Sequence, residues 1–263
     1  VELSYLNQIA IGLLSRLDVG WTFLLLMTRY LVFLMLIPGL GGGMAGVVVR
    51  YPAAMALAMV SLKMEQVAGV PAHAVDMILQ LGAEVVLGAI VGMTPMLIVA
   101  GAQTAGHLAT ATMGLNGAQM FDPATHAQLS DLSRLYSDLT ILLFLALGGH
   151  YVALAELSGL TEAIRPGSFV LSGEGLSTLI DQSARIFQIG CLIAAPVIVA
   201  LLLTNFVMGI ISKAIPTVNI FIISFPLTIG VGFAISILAI PEIAHMLERE
   251  WQRLPDVLAR AIR

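Results

Sequence analysis

The chain has 263 residues, 59% of them hydrophobic and 11% charged, with a net charge of −4 and a mean hydropathy of +0.97, whereas a soluble domain carries about 25% charged residues. Too few polar side chains remain to solvate a globule, which argues against a soluble enzyme, and the lack of any run of like charge argues against a nucleic-acid surface. Apolar stretches recur from end to end with no linker-like segment between them, so one all-α, polytopic helical membrane domain over 1–263 is expected.

The opening segment, Val1 to Asp18, mixes Glu2, Arg16 and Asp18 and lacks the basic region and small-residue cleavage site of a secretory signal, so the first apolar segment is expected to be retained. Val19 to Val49 holds one charge, Arg29, and exceeds the roughly 20 residues that a spanning helix needs. A break is expected at Pro38 and Gly39. The Leu, Val, Ile and Phe residues between Trp21 and Ile37 contribute roughly −5 kcal/mol to insertion against roughly +3 for the arginine. Insertion therefore wins, and Arg29 needs a partner or a wet cavity.

Further apolar stretches run over Ala53–Leu62, Val85–Phe121, Leu139–Ala155, Ile186–Ser212 and Ala214–Pro241, the first of them too short to span alone. Beyond Gly101 the long stretch becomes rich in Gly, Ala, Thr and Gln, a poor lipid-facing surface that should meet protein or water. Gly88 with Gly92, and Gly101 with Ala105, have the spacing that lets helix backbones approach closely, within one chain or between subunits. Lys and Arg are spread so evenly that the positive-inside rule gives no orientation. From Glu242 to Arg263, Ile243, Met246, Leu247, Trp251, Leu254, Val257 and Leu258 share one helical face, which reads as an amphipathic tail with a kink or stop near Pro255. A solvated extension capping the last apolar helix is favoured over a dedicated partner-binding helix.

Few residues point to chemistry. Gly41, Gly43 and Gly46 fit a G-x-G-x-x-G spacing with Glu65 beyond, but they lie in an apolar membrane segment with Arg50 and Pro52 following, so a loop or helix break is the better reading. His73, His107, His126, His150 and His245 lack the paired spacing of a metal site, and no hydrolase, nucleotide-triphosphatase or thiol-redox motif occurs. No metal, cofactor or catalytic residue is assigned. Cys191 is the only cysteine and reads as a buried, inert thiol. Arg29 and Glu84 are the candidate charges at membrane depth, where such groups often mark ion or proton pathways; a relay normally needs a partner, and the sequence identifies none for Glu84.

The segment Met113-Gly114-Leu115-Asn116-Gly117-Ala118-Gln119-Met120-Phe121-Asp122-Pro123 combines two helix-breaking glycines with flexible and bulky apolar groups. Non-helical backbone at membrane depth is tolerated where it is buried in protein or lines a cavity. A packed turn and a pore-filling loop both fit.

This segment, the run Leu142-Leu143-Phe144-Leu145 with Gly149-His150, and the stretch PTVNIFIISFPLTIGVG from Pro216 to Gly232 resemble the FliR family. That family is the flagellar branch of the type III export gate proteins and is related to the SctT proteins of injectisomes. The resemblance covers essentially the whole chain and is strongest at Phe225-Pro226-Leu227-Thr228. It implies long, partly broken helical hairpins: a FliP-like part over 1–184, then a FliQ-like hairpin and tail over 185–263, formed by Ile186–Ser212 and Asn219 to about Arg253 with a turn near Pro216. It implies a non-enzymatic gate subunit in the bacterial inner membrane at the flagellar basal body. The implied partners are FliP, FliQ, FlhA and FlhB homologues, a separate ATPase and unfolded export substrates. Met113, Leu115, Met120 and Phe121 would form an apolar gate plug, with Gly114 and Gly117 as hinges. The connection Ala45-Gly46-Val47-Val48-Val49-Arg50 departs from the family pattern by keeping one base. An injectisome subunit is the nearest alternative. A small-solute secondary transporter using Arg29 and Glu84 is the alternative from another class, although the internal repeat typical of such proteins is missing.

Overall fold

A computed structural model describes residues 2–39, 44–62, 67–114, 131–158, 164–215 and 220–262. Among them every regular element is a helix: α1 (Glu2–Leu36), α2 (Met44–Ser61), α3 (Ala74–Thr112), α4 (Asp131–Ala146), α5 (Gly149–Leu157), α6 (Gly173–Ala214), α7 (Ile220–Gln252) and α8 (Leu254–Ile262). Four stretches, Arg16–Leu36, Ala74–Thr112, Gly173–Ala214 and Ile223–Ile262, are long and apolar enough to cross a membrane, and Leu132–Ala146 with Gly149–Leu157 makes a fifth if counted as one broken span. The chain is an all-α polytopic membrane protein.

Helix ends follow local chemistry. α1 stops where expected, because Pro38 disfavours helical backbone at Ile37 and Gly39 takes a φ of 97°. α4 and α5 are separated at Gly148, whose φ of 73° breaks the helix inside the expected stretch Leu139–Ala155. Two helices start earlier than their apolar stretches. α3 begins at Ala74 rather than Val85 because Asp76 lies in its first turn, where a carboxylate complements the helix dipole, and Asp76, Gln80 and Glu84 recur every fourth residue on one face. α6 begins at Gly173 rather than Ile186 because Ser172 caps it, its hydroxyl accepting the Gly175 N–H at 2.9 Å. The last break falls at Arg253, two residues before Pro255, which sits in the first turn of α8 where its missing N–H costs nothing.

The helices sort into two compact units: Val1–Met96, Gly148–Ile180 and Arg253–Arg263 in the first, Leu97–Leu147 and Asp181–Gln252 in the second. The first has a core of Leu25, Leu26, Tyr30, Phe33, Leu87 and Val91. The Tyr30 hydroxyl meets Ser61 Oγ at 2.6 Å and ties α1 to α2. A Cβ at Gly88 would strike the Arg29 carbonyl, and one at Gly92 would lie 2.9 Å from Leu36 Cβ, so these glycines serve packing of α3 on α1 within one chain. α8 lays its buried Leu254, Val257, Leu258 and Ala261 against α5 and leaves Asp256 and Arg260 outward. α8 is therefore exposed on one face only; its apolar face is already occupied.

In the second unit the Gly- and Ala-rich half of α3 is buried, as its composition required: Gly101, Ala102, Ala105, Gly106 and Ala109 face protein. A Cβ at Gly101 would approach Ile189 of α6 at 3.0 Å, and one at Gly106 would run into the Ser133 backbone of α4. α4 packs on α7, with Phe144 and Trp251 ring centroids 4.8 Å apart. Arg185 near one end of α6 pairs with Glu250 near the far end of α7 at 2.9 Å, which sets those helices antiparallel. Cys191, expected to be buried, is exposed on α6: apolar neighbours in sequence do not fix which way a residue of a long helix faces, and this face also carries exposed Phe187, Leu192, Val199 and Phe206.

Candidate functional site

Arg29 and Glu84 find each other. Arg29 Nε donates to Glu84 Oε2 at 2.5 Å and Nη2 to Oε1 at 3.2 Å, and both side chains are 0% exposed. The guanidinium also reaches the Leu157 carbonyl at 3.3 Å, at the C-terminal end of α5 where the helix dipole favours a cation, and the Ile164 carbonyl at 3.4 Å. Glu84 Oε1 accepts the Gly167 N–H at 2.6 Å. Gly167 has a φ of 77°, and a Cβ there would meet Gln80 at 2.9 Å.

Four segments thus converge on one neutralised pair. Bidentate geometry with hydrogen bonds to the surrounding backbone is the arrangement that makes a buried pair tolerable, and removal of either partner alone costs about 3–5 kcal/mol. The partner that the sequence left open for Glu84 is the same arginine that needed one. The pairing joins residues 55 apart on different helices, and no local spacing encodes that.

The second constellation lies at the end of α3. Met113 is 1% exposed. Its N–H closes the last helical turn on the Ala109 carbonyl at 3.0 Å, and Gly114 follows with a φ of 81°. The Met113 carbonyl accepts the Thr228 hydroxyl of α7 at 3.1 Å, and a Cβ at Gly232 would collide with the Met113 side chain at Cε, Cγ and Sδ. Phe225 Cε2 is 4.0 Å from a Cβ built at Gly114. Met113 and Gly114, which open one of the segments that carry the resemblance, meet the Phe225–Gly232 part of another, more than a hundred positions away.

Of the plug and hinge residues implied by that resemblance, Met113 and Gly114 are placed at this junction, while Leu115, Gly117, Met120 and Phe121 lie outside the described residues. Thr228 and Gly232 were visible in the sequence only as parts of the Pro216–Gly232 stretch; no rule of spacing linked them to Met113. Among the described residues, no three His, Cys, Asp or Glu side chains gather to hold a metal ion.

With this architecture in view, the comparisons with known proteins give the class and then the family. The family model of bacterial export proteins, family 1, matches residues 20–254. The flagellar biosynthetic protein FliR of Escherichia coli K12 is 31% identical over 179 residues, covering 68% of this chain and 69% of that protein. FliR of Aquifex aeolicus is 27% identical over 232 residues, 88% of this chain and 90% of its own length, and FliR of Pectobacterium carotovorum is 28% identical over 176 residues, 67% of each. The chain belongs to this family of bacterial membrane export proteins, in its FliR branch.

Proposed function

We propose that this protein is the FliR-type subunit of a flagellar type III export gate. A flagellar export-apparatus component in a membrane, not an enzyme, is what the family membership itself provides. Beyond that, the subunit joins FliP and FliQ homologues in a closed helical assembly in the inner membrane at the basal body, next to FlhA and FlhB homologues, and unfolded flagellar substrates pass through it. Residues 1–184 act as the FliP-like part and 185–263 as the FliQ-like hairpin and tail. The paired α6 and α7, bridged by Arg185 and Glu250, fit such a hairpin.

The mechanism is steric. An apolar plug of Met113, Leu115, Met120 and Phe121, hinged at Gly114 and Gly117, blocks ions at rest and yields to an unfolded chain, with the work supplied by the proton gradient and by partner proteins. The observation that carries this reading is the ordered exit from α3: Met113 buried on α7 and Gly114 in a left-handed turn at the start of the segment. A transporter or proton relay built on Arg29 and Glu84 is disfavoured, because both charged groups are committed to each other and to backbone partners. The curated relatives support the flagellar rather than the injectisome branch. Replacing Met113–Phe121 with a short flexible linker is expected to raise ion leakage through the assembled complex while sparing assembly. An unchanged leak would remove the plug from the mechanism.

A further inference from the structure

We infer that Thr228 and Gly232 of α7 are positioning residues that hold the end of α3 in its resting place, as a latch that releases without stranding a polar group on α7. The inference rests on the plug reading above and names the groups that set its resting position; its own residues are Met113, Gly114, Phe225, Thr228 and Gly232.

The chemistry lies in one proton shared between two acceptors. Thr228 Oγ1 is 3.1 Å from the Met113 carbonyl and 3.0 Å from the Phe225 carbonyl, three residues back on its own helix. A threonine hydroxyl has a single hydrogen to donate. Docked, that hydrogen serves a carbonyl at the end of α3, where the helix itself leaves carbonyls without partners. Released, it turns wholly to Phe225, the back-bond that threonine commonly makes in helices. α7 loses nothing in the exchange, so the cost of release falls on the Met113 carbonyl alone.

Gly232 supplies the space. One turn beyond Thr228 on the same face of α7, its missing Cβ leaves the volume that the Met113 side chain fills, and a Cβ there would lie 2.7 Å from Met113 Cγ and 3.0 Å from Sδ. Methionine suits such a socket because its unbranched thioether can leave and return through several rotamers. Gly114, at a φ of 81°, ends the helix directly after Met113. The hydroxyl, the gap and the turn all act on one residue, Met113.

The test uses the complete complex, purified after expression with its neighbouring genes and reconstituted into potassium-loaded vesicles, with potassium efflux as the readout. Thr228→Val keeps the shape and removes the donor. It is expected to raise the leak about fivefold at equal content of assembled complex, the size of one lost buried hydrogen bond, while Thr228→Ser restores the parent leak. Gly232→Ala is expected to leak as well, and Met113→Ala, by emptying the socket, is expected to abolish any further effect of Gly232→Ala. This pair keeps the inference testable if Thr228→Val does not assemble.

A tight Thr228→Val complex beside a leaking Met113–Phe121 linker variant overturns the latch and leaves the plug. Equal leaks for Thr228→Val and Thr228→Ser also overturn it, since the hydroxyl would then be irrelevant. An effect of Gly232→Ala that persists in Met113→Ala overturns the role of the socket. A linker variant that does not leak overturns the plug reading, and the latch with it.

Discussion

Two junctions in this chain join distant segments by opposite means. At Arg29 and Glu84 a pair of full charges, both completely buried, gathers α1, α3, the end of α5 and Gly167 through hydrogen bonds to side chain and backbone. At Met113 the end of α3 rests on α7 through one shared hydroxyl and one methionine in a glycine gap. The difference lies in what release leaves behind. Opening the first exposes a naked charge to an apolar interior, whereas opening the second leaves one carbonyl without a partner. Under the proposed gate mechanism, a chain that stays assembled while one segment yields to a passing polypeptide needs both kinds of junction.

The sharpest way to break this contrast is at the ion pair. Arg29→Met alone is expected to destabilise the protein by about 3–5 kcal/mol, read as loss of membrane-inserted protein and of thermal stability in detergent. The double variant Arg29→Met with Glu84→Met should recover most of that, short of the partners lost by backbone groups such as the Leu157 and Ile164 carbonyls and the Gly167 N–H. A double variant as poor as the single would mean that the charges, and not merely their balance, are required. Next come the glycines of α3. Gly106→Ala drives a methyl group into the Ser133 backbone and is expected to cost about 1–3 kcal/mol. Gly82→Ala on the same helix meets nothing within 4 Å and should be neutral or stabilise by up to about 1 kcal/mol. Similar thermal shifts for the two would show that close approach of helices is not what the buried glycines provide.

At the second junction, Gly114→Ala forces an L-residue to hold a φ of 81° and should cost about 1–2 kcal/mol. The export defect of that variant should exceed its loss of thermal stability, because the turn also directs the following segment. The smallest effect is expected from Arg185→Ala. Its pair with Glu250 is partly exposed, and after solvent screening such pairs contribute less than about 1 kcal/mol. A larger change in thermal unfolding would give the α6–α7 bridge a role in holding the hairpin.

The fold was legible where physics is local. Low charge and repeated apolar stretches gave an all-helical membrane protein, Pro38-Gly39 gave the end of α1, and the glycine and alanine content beyond Gly101 gave the buried half of α3. Helix starts at Ala74 and Gly173 were hidden, because apolar content marks the part of a helix that can face lipid and not its polar first turns. The amphipathic face of the tail was readable, yet its partner α5 was not, since that contact joins segments about a hundred positions apart. The same limit applied to the site. Arg29 announced a need for a partner and Glu84 lacked one, but their meeting depends on how α3 lies on α1, which Gly88 permits and no spacing states. Thr228 and Gly232 were legible only through family resemblance, which marks residues without saying what they touch.

The central claim is that this chain works as one subunit of a composite export gate. The most direct measurement is the mass and subunit composition of the complex that co-purifies with it in mild detergent after expression with its neighbouring genes. The account predicts a single copy held among several FliP-like and FliQ-like chains. A lone chain or a simple homodimer, under conditions that preserve membrane complexes, would contradict it.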